Sequence, residues 1–310
     1  MILLRADAGA DGSEGFFRLL YLAQLLHRRH PVRFLLPAEK AAAKTLKERK
    51  FPFLSPQEEF PWAETTAVLF DLPTFSSGDL HLLAQTKKLG LPTAQFAETG
   101  TTMPGADLTV DFAARPELFP LHQRFRHFQR LERKYRRRVR RIFLGLGDAV
   151  DYRQIKEIVD LLRRARFQIK VAPFPAFKKS HAKALRRLTR GTPGIGFTGK
   201  AECLARPLFE ADVAVILSGQ RTYEAAACGT PALYFAATPG QKKAAEQFAA
   251  AGAGIFAGDI SELIEGKWLE TVRDLSFEKR LEMGRKGKAR IDGLGVHRVL
   301  ALLKENKIFG

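Results

Sequence analysis

The sequence predicts an α/β protein with two Rossmann-like halves, and three observations lead to this fold class. Short apolar runs alternate with amphipathic helical segments along most of the chain. The alternation stops at a strongly basic stretch near the middle and then restarts. The length of 310 residues is enough for about two domains, each with its own core. Strands separated by such helices pair in parallel sheets that are covered on both faces.

The first half, residues 1–120, is expected to form one Rossmann-like domain. Its short aliphatic runs predict strands, and its apolar residues spaced three or four apart predict helices. The predicted strands cover 2–4, 32–36, 68–70, 93–96 and 108–110, and the predicted helices cover 16–26, 41–48 and 80–88.

A basic linker, residues 121–141, separates the halves. Apolar residues at helical spacing (Phe125, Phe128, Leu131 and Tyr135) predict a linker helix with one packed face and one solvated face. A patch that binds phosphates or an anionic membrane surface is the alternative. The basic residues are Arg124, Arg126, Arg130, Arg133, Lys134, Arg136, Arg137, Arg138, Arg140 and Arg141.

The second half, residues 142–290, is expected to form another Rossmann-like domain, and residues 291–310 a C-terminal helix. Two such domains joined by a linker would hold a ligand in the central cleft that they face. The predicted strands cover 142–146, 168–171, 195–197, 213–217, 232–235 and 254–256, and the predicted helices cover 152–164, 182–188, 202–209, 222–228 and 242–251.

The most informative stretch is ILSGQRTYEAAACGTP, residues 216–231. It contains the end of a buried strand, a turn at Ser218 and Gly219, and a short helical segment. A strand that leads through a glycine turn into a helix N-terminus is a ready phosphate site. Glu224 lies early in that helix, where its carboxylate is expected to reach a ribose diol. An ordinary strand–helix junction with a solvated Glu224 remains the alternative.

Composition indicates the charge expected of a binding partner but does not identify the partner. Lys and Arg number 51 against 33 Asp and Glu, so the formal net charge is +18, which favours anionic ligands. Cys203 and Cys228 lack the spacing of metal ligands and are too few for a disulfide framework, so we expect no metal and a cytoplasmic protein. We expect no cofactor, no secretion signal and no membrane-spanning segment.

Five segments together resemble the PseG/SpsG-like UDP-sugar hydrolases. They are RADAGADGSEGFFRLLYLAQLL, FLGLGDAVDYRQIKEIVDLL, GFTGKAECLARPLFEADVAVILSGQRTYEAAACGTPAL, GQKKAAEQFAAAGAG and IDGLGVHRVLALL, in the family's order over nearly the whole chain. The resemblance implies a GT-B fold, the metal-independent two-Rossmann architecture that MurG-type glycosyltransferases share. It also implies a UDP-sugar ligand in the biosynthesis of nonulosonic acids.

The resemblance carries over to individual positions. It implies that Gly219, Tyr223 and Glu224 lie at the nucleotide, with Glu224 on the ribose. Gln241 matches the second member of an Asn-Gln pair near the sugar or diphosphate, although a helix-capping amide is the alternative. The resemblance also implies that Gly145 and Gly147 line the cleft from the second domain.

The resemblance fails at the family's base. A Gly-His pair stands ahead of an Arg in that family, and with Arg18 in register the His position is Gly15 here. A general base contributes roughly 10²–10⁴-fold in rate, so another group must serve if the chain is a hydrolase. The candidates are the nearby carboxylates Glu14, Asp11 and Asp7, each of which is otherwise a loop carboxylate or helix cap.

Three functions therefore stay open. The first is glycosyl transfer from a UDP-aminosugar in cell-surface or nonulosonate glycan synthesis, with the protein in the cytoplasm or at the inner membrane surface through the basic linker. The second is UDP-sugar hydrolysis with a relocated base, and the third is a non-catalytic protein that binds nucleotide sugars. Nucleic-acid binding rests on charge alone, since no known recognition motif is present, and is not expected.

Overall fold

A computed structural model describes residues 1–7, 13–36, 40–54, 58–98, 102–147, 149–172, 183, 186–187, 190, 194–197 and 204–310. The chain divides into two compact units, an N-terminal unit of residues 1–121 and 294–310 and a C-terminal unit of residues 122–293. The predicted helix 182–188 falls mostly outside the described residues, as does the start of the predicted helix 202–209.

The N-terminal unit contains a six-stranded parallel sheet in the order β3-β2-β1-β4-β5-β6. Every residue of β4 and β5 is buried, as expected for strands covered on both faces. The strands are β1 (Ile2–Ala6), β2 (Val32–Leu35), β3 (Phe53–Leu54), β4 (Ala67–Asp71), β5 (Thr93–Ala97) and β6 (Leu108–Asp111), and the α-helices of the first half are α1 (Ser13–Leu26), α2 (Lys40–Glu48) and α3 (Ser77–Lys88).

Local sequence explains where α3 begins. Ser76 accepts a hydrogen bond from the Asp79 backbone N–H, and the Asp79 carboxylate accepts one from the Ser76 N–H. This reciprocal cap satisfies N–H groups that the first helical turn leaves without partners. The helix therefore starts at Ser77, three residues before the predicted start at Leu80.

The C-terminal unit repeats the topology with a parallel sheet in the order β12-β11-β10-β7-β8-β9. Its strands are β7 (Arg141–Gly145), β8 (Gln168–Val171), β9 (Ile195–Phe197), β10 (Val213–Leu217), β11 (Ala232–Ala236) and β12 (Ile255–Asp259). The other α-helices in the described part of the chain are α4 (Gln123–Arg130), α5 (Tyr152–Arg164), α6 (Ala205–Glu210), α7 (Gln220–Ala227), α8 (Pro239–Ala250), α9 (Ile260–Glu265), α10 (Trp268–Asp274), α11 (Phe277–Arg290) and α12 (Gly295–Glu305), of which α12 belongs to the N-terminal unit.

The basic linker is helical for less than half of its length, so the predicted linker helix is wrong beyond Arg130. Helix α4 ends there, and Leu131 has extended backbone angles. Successive basic side chains repel one another at helical spacing. Two of them instead bind the fold: Arg133 donates to the Phe209 carbonyl at 2.6 Å, and Arg136 donates to the Asp212 carboxylate at 2.9 Å.

Candidate functional site

The C-terminal sheet changes its winding direction between β7 and β10. From β7 the chain proceeds outward through β8 to β9, and it then returns to β10, beside β7, and proceeds the other way. In open α/β sheets, ligands bind outside the carboxyl ends of the strands at such a switch point. The residues that follow β7 and β10 are therefore the first place to examine for a ligand site.

Three of the predicted site residues lie together at this edge, and all three are glycines. Gly145 pairs with Ile216 across the sheet, and a Cβ there would lie 2.8 Å from the Phe143 ring. A Cβ at Gly147 would be 3.6 Å from Leu217, which is an ordinary contact. Gly219, directly before α7, has a φ of 127°, which favours glycine over other residues. The three glycines therefore add no side chain to this edge, at which Gly147 is partly exposed and Gly145 and Gly219 are buried.

Glu224 is placed differently from the expectation of an accessible carboxylate. The residue is fully buried, and its two oxygens accept hydrogen bonds from Gln220 Nε2, at 2.7 Å, and from Arg221 Nη1. Burial raises the pKa of Glu224, and the Arg221 charge and the Gln220 hydrogen bond oppose that rise. A ribose can reach this carboxylate only if Gln220 or Arg221 releases one of its oxygens.

Tyr223 and Gln241 have structural roles in this conformation. The Tyr223 ring is buried against Phe248, with the two centroids 5.1 Å apart. The Gln241 backbone N–H donates to Thr238 Oγ1, and its side-chain oxygen accepts from the Ala237 N–H at 2.8 Å. Gln241 therefore caps the start of α8, which is the alternative that the sequence left open for it.

The N-terminal sheet has its own switch point, between β1 and β4, and a charged cluster lies at its carboxyl edge. Arg18 of α1 donates from Nε and Nη2 to the two Asp71 oxygens, at 2.9 and 2.8 Å, and from Nη1 to Glu98 at 2.6 Å. The Glu14 carboxylate lies 3.9 Å from the same guanidinium. We call these four residues the Arg18 cluster. One guanidinium thus faces three carboxylates in a largely buried setting.

This imbalance has an electrostatic consequence for Glu98. Burial raises the pKa of Glu98 to about 8, with Glu14 and Asp71 adding to the rise and Arg18 opposing it. The Glu98 Oε1 atom is buried and has no hydrogen-bond partner among the described residues. A carboxyl group that holds a proton near neutral pH is suited to general acid–base chemistry.

The predicted catalytic carboxylates separate in the structure. Glu14 belongs to the Arg18 cluster and is half-buried. Asp7 accepts a hydrogen bond from Arg5 at 2.8 Å, and Arg5 also binds the buried Asp79. Asp11 lies outside the described residues. Of the two candidates that the structure describes, it therefore brings Glu14 to the cluster and leaves Asp7 outside it.

Gly15, the position of the family's histidine, has no room for a side chain. A Cβ there would lie 2.5 Å from the Asp71 carbonyl oxygen and 2.7 Å from Asp71 Oδ1. The same helix face carries the Arg18 pair with Asp71, so α1 cannot move away without breaking that pair. The packing of this unit therefore leaves no space for a larger side chain at Gly15.

Because of this packing, we expect a glycine-to-alanine change at position 15 to have the opposite of its usual effect on stability. Alanine in a helix usually stabilises by up to about 1 kcal/mol relative to glycine. We expect Gly15→Ala to destabilise by about 1–3 kcal/mol instead, because the methyl group overpacks against backbone. The matched control is Gly78→Ala in the first turn of α3, where the nearest atom is 3.6 Å from the new Cβ. Equal melting temperatures for the two variants would contradict this account.

Sequence reasoning missed Asp71 and Glu98, although a signal was available. Each carboxylate stands at the carboxyl end of a predicted buried strand, in LFD and in FAE. Because β4 and β5 are neighbours in register, with Asp71 opposite Phe96, their terminal residues meet at one edge. A charged residue at the carboxyl end of a buried parallel strand is therefore a site candidate.

Neither a candidate metal site nor a membrane-spanning helix is present in the described part of the chain. No group of three or more His, Cys, Asp or Glu side chains in these ranges could hold a metal ion. None of the helices described is both long and apolar enough to span a bilayer.

Comparison with known proteins identifies the fold. No protein-family profile matches the chain. Spore coat polysaccharide biosynthesis protein SpsG of Bacillus subtilis is 30% identical over 128 residues, which are 40% of this chain and only 38% of that protein. Over 99% of both chains, the spinosyn rhamnosyltransferase SpnG superposes with a TM-score of 0.66 at 15% identity.

The UDP-GlcNAc 2-epimerase of Neisseria meningitidis, solved bound to UDP-GlcNAc, superposes with a TM-score of 0.60 at 11% identity, over 98% of this chain and 100% of that one. The chain has the GT-B fold. The predicted α/β class with two Rossmann-like domains is confirmed.

Proposed function

We propose that this GT-B protein binds a nucleotide-activated aminosugar, with UDP as the nucleotide, and transfers the sugar to an acceptor. The observation that carries the proposal is the side-chain-free edge at Gly145, Gly147 and Gly219, at the switch point of the C-terminal sheet. The choice of UDP is supported by the UDP-GlcNAc-bound epimerase of the same fold. The sequence similarity to SpsG supports a role in polysaccharide synthesis.

The chemistry of this edge suits a diphosphate. Helix α7 begins at Gln220, directly after the glycine turn, so its first N–H groups and its dipole favour an anion there. Backbone donors fixed in this way stabilise the charge that develops on a departing nucleoside diphosphate. Under this proposal Glu224 binds the ribose after exchanging Gln220 or Arg221 for the two hydroxyl groups. Tyr223 and Gln241 would then support the site from α7 and α8.

We assign the acid–base role to the Arg18 cluster of the N-terminal unit. Glu98 is the preferred acid–base group because it has an unpaired, buried oxygen and a pKa raised to about 8, so that its ionised form is a stronger base than an ordinary carboxylate; Glu14 is the second candidate. An acceptor hydroxyl bound at this cluster would give its proton to this carboxylate. Water in place of the hydroxyl gives the hydrolase alternative. A protein that binds the nucleotide sugar without turnover is the third possibility.

The biological setting belongs to the same proposal. Synthesis of a cell-surface or nonulosonate glycan in the cytoplasm, close to the inner membrane, fits a transferase of this kind. An anionic surface would meet the exposed part of the basic linker, such as Arg137 and Arg138, since Arg133 and Arg136 are bound to the fold through their own hydrogen bonds.

The test is a thermal-shift panel of UDP, UDP-GlcNAc, CMP, dTDP and GDP. A ligand that binds only the folded state raises the melting temperature, so we expect stabilisation by the uridine compounds alone. Gly147→Asp should abolish the shift because its carboxylate repels the diphosphate. Gly147→Ala is the control, since its methyl group has room and no charge. No stabilisation of the wild type by any of these nucleotides would overturn the proposal.

A further inference from the structure

A groove of about 620 Å³ lies on the N-terminal unit, between the end of α1 and helix α12. Its floor is apolar and consists of Leu25 and Leu26 from α1, Leu300 from α12, and Phe309. The Phe309 ring also packs against His30, with the two centroids 5.1 Å apart. The groove lies entirely within one unit and is separate from the Arg18 cluster.

The rim of the groove is cationic. Arg28, Arg29 and Lys304 are exposed there, and none of them forms an ion pair with the described residues. No Asp or Glu side chain is among the described residues that line the groove. Elsewhere in the same unit Arg5 and Arg18 bind carboxylates directly. Unpaired positive charge therefore coincides here with an apolar floor.

The apolar floor and the cationic rim together indicate which class of molecule the groove can bind. A nucleic acid would bind the cations through its phosphates, because its affinity comes from phosphate contacts. It would leave the apolar floor in contact with water. An acidic amphipathic helix is too large to be enclosed by the groove, since ten residues at a diameter of 10–12 Å fill roughly 1,200–1,700 Å³. A molecule with one thin apolar chain and an anionic head matches both the volume and the charge.

We propose that this groove binds an acidic phospholipid, with an acyl chain on the floor and the headgroup phosphate held by Arg28, Arg29 and Lys304. The N-terminal unit would thereby attach to an anionic membrane surface at a defined place. The proposal does not depend on the nucleotide-sugar proposal, because no residue of that site takes part.

The experiment is co-sedimentation of the full chain with vesicles of pure phosphatidylcholine and of phosphatidylcholine mixed with phosphatidylglycerol. We expect binding to the acidic vesicles only. The double variant Arg28→Glu/Arg29→Glu should weaken that binding by roughly tenfold to a hundredfold, given the usual contribution of a basic side chain near such a surface. Ala301→Trp fills the groove without a change of charge and should also weaken it.

The matched control is Arg163→Glu/Arg164→Glu at the exposed end of α5. It reverses the same number of charges in the other unit and should leave vesicle binding largely intact. An equal loss in both double variants would mean attraction by net charge alone and would overturn the proposal. So would full binding by Ala301→Trp, or displacement of the vesicles by soluble glycerol phosphate, which would indicate a phosphate site without an acyl chain.

Discussion

Replacing Arg18 with alanine should destabilise the N-terminal unit by about 3–5 kcal/mol at neutral pH, the usual cost of removing one partner from a buried ion pair. The Arg18 guanidinium compensates Asp71, which is 1% exposed, and Glu98. Without it, the Asp71 carboxylate stays buried with no counter-charge. The arginine also lies 5.7 and 5.4 Å from the centroids of Phe112 and Phe119, so alanine removes packing as well. Urea-induced unfolding measures the loss.

The control for this change is Arg153→Ala in α5. Arg153 pairs with Glu157 at 3.2 Å, but its side chain is 88% exposed. An exposed pair contributes at most about 1 kcal/mol, so this variant should unfold close to the wild type. If the two variants have similar unfolding midpoints at neutral pH, the Arg18 cluster is not the structural centre that we describe.

The fold was predictable because its signals are local. Fully apolar runs such as residues 213–217 specify buried parallel strands, and the Ser218–Gly219 turn specifies where the next helix begins. The predicted second-half strands lie within a residue or two of β7, β8, β10 and β11. Helices α9, α10 and α11 and the two-residue strand β3 were not predicted, since their segments lack a clear period over enough residues.

The site was predictable only where it is made of backbone. Gly145, Gly147 and Gly219 meet at one edge because the strand order brings β7 beside β10. The Arg18 cluster joins side chains 53 and 80 residues apart in sequence, so no local pattern announces it. The hydrogen-bond partners of Glu224, in contrast, could be predicted from local sequence. Gln220 and Arg221 lie four and three residues before it on one helix, and that spacing already indicates contact.

Replacing Glu98 with glutamine should change how stability depends on pH. The folded chain keeps the Glu98 proton up to about pH 8, whereas the unfolded carboxyl releases it near its ordinary pKa of 4.5. Stability from this group is therefore complete below pH 4.5 and is lost as the pH rises to about 8. Glutamine stays neutral throughout. We expect the melting temperature of Glu98→Gln, relative to wild type, to rise steadily between pH 5 and pH 8.

Glu157→Gln is the matched control, because that carboxylate is half-exposed and its difference from wild type should stay nearly flat over the same range. A flat difference for Glu98→Gln as well would mean that Glu98 ionises normally beside Arg18, and it would lose its claim as the proton acceptor. If the slope is present and a nucleotide sugar is turned over, the same variant should lose roughly 10²–10⁴-fold in rate, as expected for removal of a general base. Retained turnover together with the slope would leave Glu98 with a structural role and would assign the acid–base role to Glu14.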